Sequence, residues 1–358
     1  MLKYVASTMI EPLQVIQRER RLPHDGELVG TVGQEVTPMQ VVGRSRRSAG
    51  YHMIPASERL QIPPDKVADY LVVQPGQMVE EGTVLCQKRP FRKIVSPIEG
   101  RVYGVYNGQL VLERPFIWHE LRSLLRGRII SQAQPRSLII ETVGALIQAR
   151  WGSGKEGFGR LKIASDEHGG ELAISNLSKA ITRHTLVAGY LADPTVISQL
   201  AELEIAGLIL GSAPASLHEH LVDAPFPVVV TDGFGKQGMV EPAFRLLQES
   251  ENRETTLFAH QGADSDNRRS LHQRPEIIIA VGGTPNYANI QPAKPLTVGQ
   301  TVRLTRRPYR QQVGQIIKLY EQAQALETGL YAPGAAVRLA DGTVVFVPDA
   351  NLDIVQAA

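Results

Sequence analysis

The sequence contains a single cysteine, Cys86, in 358 residues. That excludes an intramolecular disulfide framework and any structural zinc site built from several thiolates. No apolar run approaches the roughly 18 to 20 residues needed to cross a bilayer as a helix. The opening MLKYVASTMIEPLQVIQRERR lacks a signal peptide's uninterrupted apolar core and small-residue cleavage site. The expected location is therefore cytoplasmic, with no membrane partner. A dominant charge is missing too: 38 Lys and Arg face 36 Asp and Glu, and a formal charge of +2 gives the whole chain no strong steering toward nucleic acid.

Complete catalytic signatures are also lacking. No Gly-x-Ser-x-Gly elbow occurs. Before Gly154-Lys155, a phosphate-binding loop would need glycine where Ala149 stands and a hydroxyl where Glu156 stands, so a glycine-rich hairpin connection is the better reading. His218 and His220 lie two apart in a helical stretch, on different faces, and cannot share a metal. Ser212 has no evident base and reads as a helix cap, and Cys86 sits among apolar strand residues as packing. No catalytic residue, metal ligand set or cofactor is assigned.

What is present is 43% hydrophobic sequence, enough for two to four domains. After an N-terminal segment, 1–26, short valine-rich runs broken by Gly and Pro mark a β unit over 27–115. It carries a weak repeat: GTVGQEVTPMQVVGRS from Gly30 and LVVQPGQMVEEGTVLCQ from Leu71 share strand, Gly-Gln, valine, strand. Gly33 and Gly76 suit turns that need positive φ. The second copy, followed by IVSPIEGRVYGVYNGQLVLE with Ser96, Pro97, Gly100 and Val102, resembles the barrel-sandwich hybrid of biotinyl and lipoyl carrier domains. The resemblance implies that fold. Lys88 and Lys93 lack the neighbours of a modified carrier lysine, so a structural or docking use is expected.

The stretch 116–292 alternates strands and helices, as in HTLVAGYL, DPTVISQLAELEIA, GLILGS and FPVVVTD, which implies a parallel sheet covered by helices, ending at PEIIIAVGGTP. Within it, VVVTDGFGKQGM places Gly233, Gly235 and Gly238 as Gly-x-Gly-x-x-Gly between a buried strand and a helix. Ligands commonly bind such turns. Against a dinucleotide site, the turn comes after two earlier strand-helix units, TTLFAHQ ends in His260 and Gln261 instead of a ribose-binding carboxylate, and Asp264 and Asp266 come late. If the turn binds a nucleotide, the one candidate ligand, Lys236 and the amides from Gly235 to Met239 are the donors, with Thr231 and Asp232 as polar neighbours.

Short strands return over 296–358, where Arg303, Arg306, Arg307 and Arg310 surround Tyr309. With Val298-Gly299, Val302, Pro308, Gly314, Ile316 and the hairpin turn Asp341-Gly342, this segment resembles a KOW-type domain, the small barrel of NusG-like transcription factors and some ribosomal proteins. The resemblance implies docking on RNA, a ribosome, RNA polymerase or another protein, with those arginines and Tyr309 as the contact patch. The sequence thus implies a multi-domain α/β plus all-β protein: a barrel-sandwich-like unit, a central α/β unit and a KOW-like barrel. A non-catalytic cytoplasmic adaptor is the first functional expectation. An enzyme or enzyme subunit that binds a nucleotide or phosphometabolite at 233–238 is the second. Nothing in the sequence specifies an oligomeric state.

Overall fold

The N-terminal segment is the spine of the molecule. In a computed structural model that describes residues 5–88, 92–172, 181–260, 274–281, 295–310, 312–326 and 328–357, Ala6–Arg21 forms one long strand. It pairs antiparallel with Ser137–Gln148 and parallel with the last strand, Leu352–Ala357. A single mixed sheet therefore runs from the central unit into the C-terminal unit. Arg20 on this strand reaches the start of Glu156–Ile163, where both terminal nitrogens of its fork lie 2.7 Å from the Glu156 carboxylate and His260 Nε2 lies 2.9 Å from the same group.

The β-rich region contains two nested units. Val41–Arg47 pairs with Ile117–Arg122 and Glu35–Val36 with Gly127–Ala133, so the first unit draws on both sides of the expected boundary at 115/116. The chain between builds the second unit: a four-stranded sheet of Tyr51–Ile54, Gln109–Glu113, Gly100–Tyr106 and Met78–Val79, beside the hairpin of Val84–Lys88 and Arg92–Val95. Each has its own core, Leu22, Val42, Leu121 and Ile129 in the outer unit and Ile54, Leu85, Val102 and Leu110 in the inner. Where the inner unit has a short hairpin between Lys88 and Arg92, the outer unit carries the entire inner unit between Arg47 and Ile117.

Both units share one turn chemistry. Gly33 and Gly76 adopt φ of +90° and +87°, donate to Ile129 O and Val102 O at 2.7 Å each, and are followed by Gln34 and Gln77, whose carbonyls accept from the same two residues at 2.9 Å. The glutamine side chains close the turns by accepting from the Thr31 and Gln74 amides at 3.0 and 2.9 Å. Ser96 and Ser123 match as well, their hydroxyls donating to Ile98 O and Leu125 O at 2.6 and 2.5 Å. The same turn recurs in the C-terminal unit, where Gly299 has φ of +93°, donates to Ile316 O at 2.8 Å, and Gln300 accepts from the Thr297 amide at 2.8 Å.

In the central unit four strands are parallel as expected, in the order Glu156–Ile163, His184–Tyr190, Gly207–Ala213, Val228–Phe234. Helices Thr195–Glu202 and His218–Asp223 cover one face through Val196, Ile197, Leu200 and Leu221. The expectation of a wholly parallel sheet is corrected by Glu254–Phe258 and Glu276–Ala280, which pair antiparallel. The reason lies in the helix Glu241–Glu249, which seats Ala243, Phe244 and Leu247 among the residues of the opposite face, including Leu161, Val187 and Val229, instead of travelling back along the sheet. The Asn252 amide then bonds Leu161 O near the end of its strand, and the next strand sets off in the reverse sense. The sheet also curls shut, because Ala149 donates to Pro275 O while the next residue, Arg150, donates to Val230 O.

The C-terminal unit is a five-stranded antiparallel array in the order Leu352–Ala357, Thr301–Leu304, Val313–Leu319, Gly334–Leu339, Val344–Pro348. The expected hairpin at Asp341-Gly342 is present, with Gly342 at φ of +84°. Among the described residues no helix is long and apolar enough to cross a membrane.

Two outcomes follow. A Cβ at Gly76 or Gly299 would meet nothing within 4 Å, so Gly76→Ala and Gly299→Ala should each cost about 1 to 3 kcal/mol from backbone strain alone, measured by denaturant unfolding, with Asn milder than Ala. Burial pushes the Glu156 carboxyl up, but the hydrogen bonds from His260 and Arg20 outweigh it and hold the group at about 2, against an ordinary 4.5. A depressed folded-state value stabilises above the unfolded value and is lost as pH falls. Acid titration of stability should show a loss of about 3 kcal/mol between pH 4.5 and 2 that Glu156→Gln removes.

Candidate functional site

The strand Val228–Phe234 carries Thr231 and Asp232 to its carboxyl end, where the glycine turn begins with Gly233 at φ of +98°. The turn is not an open phosphate cradle. The Gly235 amide donates to Ala213 O at 2.9 Å, the Met239 amide to His168 O at 2.7 Å, and the Val240 amide to Asp232 Oδ2 at 3.2 Å. The Ser212 hydroxyl, expected as a helix cap, donates instead to Gln237 O. Gly238 permits close chain approach, since a Cβ there would lie 2.5 Å from Gly169 Cα. Lys236 points to solvent. Of the amides expected to receive an anion, the first and last, Gly235 and Met239, are thus engaged in fixing the corner. Asp264, Asp266, Gln261 and the Gly-Gly-Thr-Pro exit lie outside the described residues.

The arginine cluster of the C-terminal unit is divided three ways. Arg303 is fully buried and cannot be a surface contact. Strand alternation turns it away from the core that Val302 and Leu304 enter, onto a face that Thr231 and Asp232 of the central unit cover, and the register sets Arg303 opposite Asp353 on the last strand. Tyr309 is half-buried against the unit's apolar cluster, while Arg306, Arg307 and Arg310 are exposed.

Arg303 centres a buried ionic network that joins three parts of the molecule. Its Nη2 lies 3.0 Å from Asp232 Oδ1, its Nη1 lies 3.8 Å from Asp353 Oδ2, and Nη1 also donates to Thr231 O at 3.3 Å. Asp353 is itself fully buried, with Arg274 at 3.0 Å and Arg150 at 3.5 Å. Thr8 on the first strand donates to Asp353 Oδ2 at 2.7 Å and accepts from Arg274 at 2.5 Å. The Thr231 hydroxyl donates to Asp232 Oδ2 at 2.6 Å. Burial pushes the Asp232 carboxyl upward, against the pull of Arg303, the Thr231 hydroxyl, the Val240 amide and Arg150. The Arg303 ion pair is close yet poorly aligned, for neither Nε nor Nη2 makes a hydrogen bond among the described residues.

A cavity of about 230 Å³ opens beside this network. Arg150, Trp151, Asp232, Gly233 and Phe234 line it from the central unit, and Leu304, Thr305 and Arg310 from the C-terminal unit. Trp151, Phe234 and His218 pack as an aromatic group, with ring centroids 5.3 Å apart for Trp151 with each partner. Two expected groups of residues therefore meet, Asp232 and Gly233 from the turn and Arg310 from the arginine segment. Arg150, Trp151, Phe234, Arg274, Thr8 and Asp353 are additions. For Arg150 and Asp353 the signal was a charge in an otherwise apolar stretch, as in ALIQARW and NLDIV, which predicts buried pairing; the others carried none. Elsewhere, Cys86 is buried, and burial pushes its thiol up to about 11, consistent with packing and not nucleophilic chemistry. Among the described residues no group of three or more His, Cys, Asp or Glu is placed to hold a metal ion.

Removing one partner of a buried pair leaves an uncompensated charge, so Arg303→Met should destabilise by about 3 to 5 kcal/mol. Arg303→Met combined with Asp232→Leu should lose less than the sum of the two single variants in denaturant unfolding.

Compared with known proteins, the chain matches no family model and no curated sequence.

Proposed function

We propose that the protein is a non-catalytic, multi-domain cytoplasmic adaptor that docks on a larger assembly through its C-terminal unit, read here as a KOW-like barrel. The two nested β units are read as barrel-sandwich hybrids in structural use. The supporting observation is the state of Arg306 and Arg307. Of the four arginines in this segment, one is buried and one lines the cavity, while these two stand exposed and form no ion pair among the described residues. They lie on the loop between Thr301–Leu304 and Val313–Leu319. Exposed guanidiniums held on a short loop between paired strands suit an external phosphate backbone or acidic surface. Leu330 and Tyr331 on the same unit are exposed as well and offer apolar and stacking contact. The nucleotide alternative at 233–238 is the weaker reading, because the Gly235 and Met239 amides at the two ends of its donor run are engaged.

RNA is the partner most directly tested. Fluorescence anisotropy with a labelled single-stranded RNA of mixed sequence should show binding that weakens with salt, and Arg306→Gln with Arg307→Gln should flatten the log–log salt slope by about 1.4. Unchanged binding in the double variant would remove this loop as the docking surface.

A further inference from the structure

We propose that the cavity between Val228–Phe234 and the loop after Thr301–Leu304 binds the phosphate group of a small phosphorylated organic molecule, held by Arg150 and Arg310 with Trp151 and Phe234 against its carbon skeleton. The residues come from two units that the buried network locks together, so the site exists only in the assembled fold. It shares the loop that carries Arg306 and Arg307 but uses Thr305 and Arg310 of that loop, not the two docking arginines.

Charge sets the class of ligand. Among the described residues, three guanidiniums, Arg150, Arg274 and Arg303, surround two carboxylates, Asp232 and Asp353, an excess of one positive charge. Arg310 lines the cavity without an ion pair among the described residues and raises that excess to two. A phosphate monoester near neutral pH carries about that charge with opposite sign. Geometry agrees: the oxygens of a tetrahedral dianion can receive guanidinium forks from two different directions. Burial pushes the Arg150 guanidinium down, Asp353 pulls it back, and Arg303 and Arg274 push it down again. A bound anion would offset that crowding.

Size and lining narrow the class further. At about 30 Å³ per water, the roughly 230 Å³ cavity holds the equivalent of about eight waters, room for a phosphate and a few carbons. That is below the approximately 300 to 1,000 Å³ of sites for larger organic ligands, which argues against a nucleotide. The Trp151 and Phe234 rings, 5.3 Å apart between centroids, supply the apolar wall.

The test is isothermal titration of the full chain with inorganic phosphate at low ionic strength, with acetate as competitor. Saturable binding should be weakened about tenfold or more by Arg310→Gln, the loss expected for a charge-assisted hydrogen bond. Arg338→Gln, an exposed arginine elsewhere in the same unit, should leave it unchanged, and equal acetate should not displace phosphate. Arg310 is exposed, and the variant's unfolding midpoint without phosphate should match the parent's. The proposal is overturned by absence of saturable binding, by equal affinity in Arg310→Gln, by equal weakening in Arg338→Gln, or by acetate competing as well as phosphate.

Discussion

A guanidinium sealed from water at Arg303 constrains most of what surrounds it. A buried cation is tolerated only when carboxylates and hydrogen-bond acceptors are brought to it, since an unpaired one would neutralise or unfold its surroundings. Its carboxylates come from distant parts of the chain, Asp232 at the end of a central strand and Asp353 on the last strand. Thr8 binds Asp353 from the first strand, and Arg274 bridges both. None of these strands can shift register by one residue without turning its charge to the opposite face. The pairings Arg303↔Asp353 and Ala6↔Asp353 therefore fix how the C-terminal unit sits against the spine. The cavity beside Arg150 and Arg310 is a consequence of that placement.

The β-rich region follows a different economy of design. One turn, in which glycine supplies positive φ and glutamine closes the loop on itself and on a neighbouring strand, is used at Gly33, Gly76 and Gly299. Its hydrogen bonds satisfy groups that a sharp reversal would leave unpaired. Two of the three occurrences sit in nested units with matching serines, which is how an internal copy can be inserted at a hairpin tip without disturbing the parent core: the ends of the insert, near Arg47 and Ile117, are already neighbours in an antiparallel pair. The docking loop and the cavity both belong to the unit carrying the third occurrence.

Local chemistry was legible in the sequence and long-range pairing was not. Gly33 and Gly76 announced their turns because only glycine accepts that φ without strain, and the strands from His184 to Phe234 announced parallel pairing through the helices between them. The role of 1–26 was hidden because a lone strand carries no sign of its partners, and Ala6–Arg21 finds them at Ser137–Gln148 and Leu352–Ala357. The reversal after Glu241–Glu249 was hidden for a similar reason: the helix's amphipathic pattern does not say whether its apolar side meets an outer face or the strands' enclosed side. At the site, Arg303 was grouped with Arg306, Arg307 and Arg310 by proximity in sequence; its burial was hidden because alternation with Val302 and Leu304 says nothing of what covers the other face, which the central unit does. The partners of Asp353, between Leu352 and Ile354, were hidden in the same way, being on distant segments.

The most direct test of the account is hydrogen exchange by mass spectrometry on an Asp353→Asn variant. If the Arg303 network joins the units, protection should fall together in segments 6–12, 228–234, 301–304 and 352–357, since removing one carboxylate leaves Arg303, Arg274 and Arg150 short of charge at once. Loss of protection confined to 352–357, with the other three segments unchanged, would contradict the claim that this buried cluster holds the units in one arrangement.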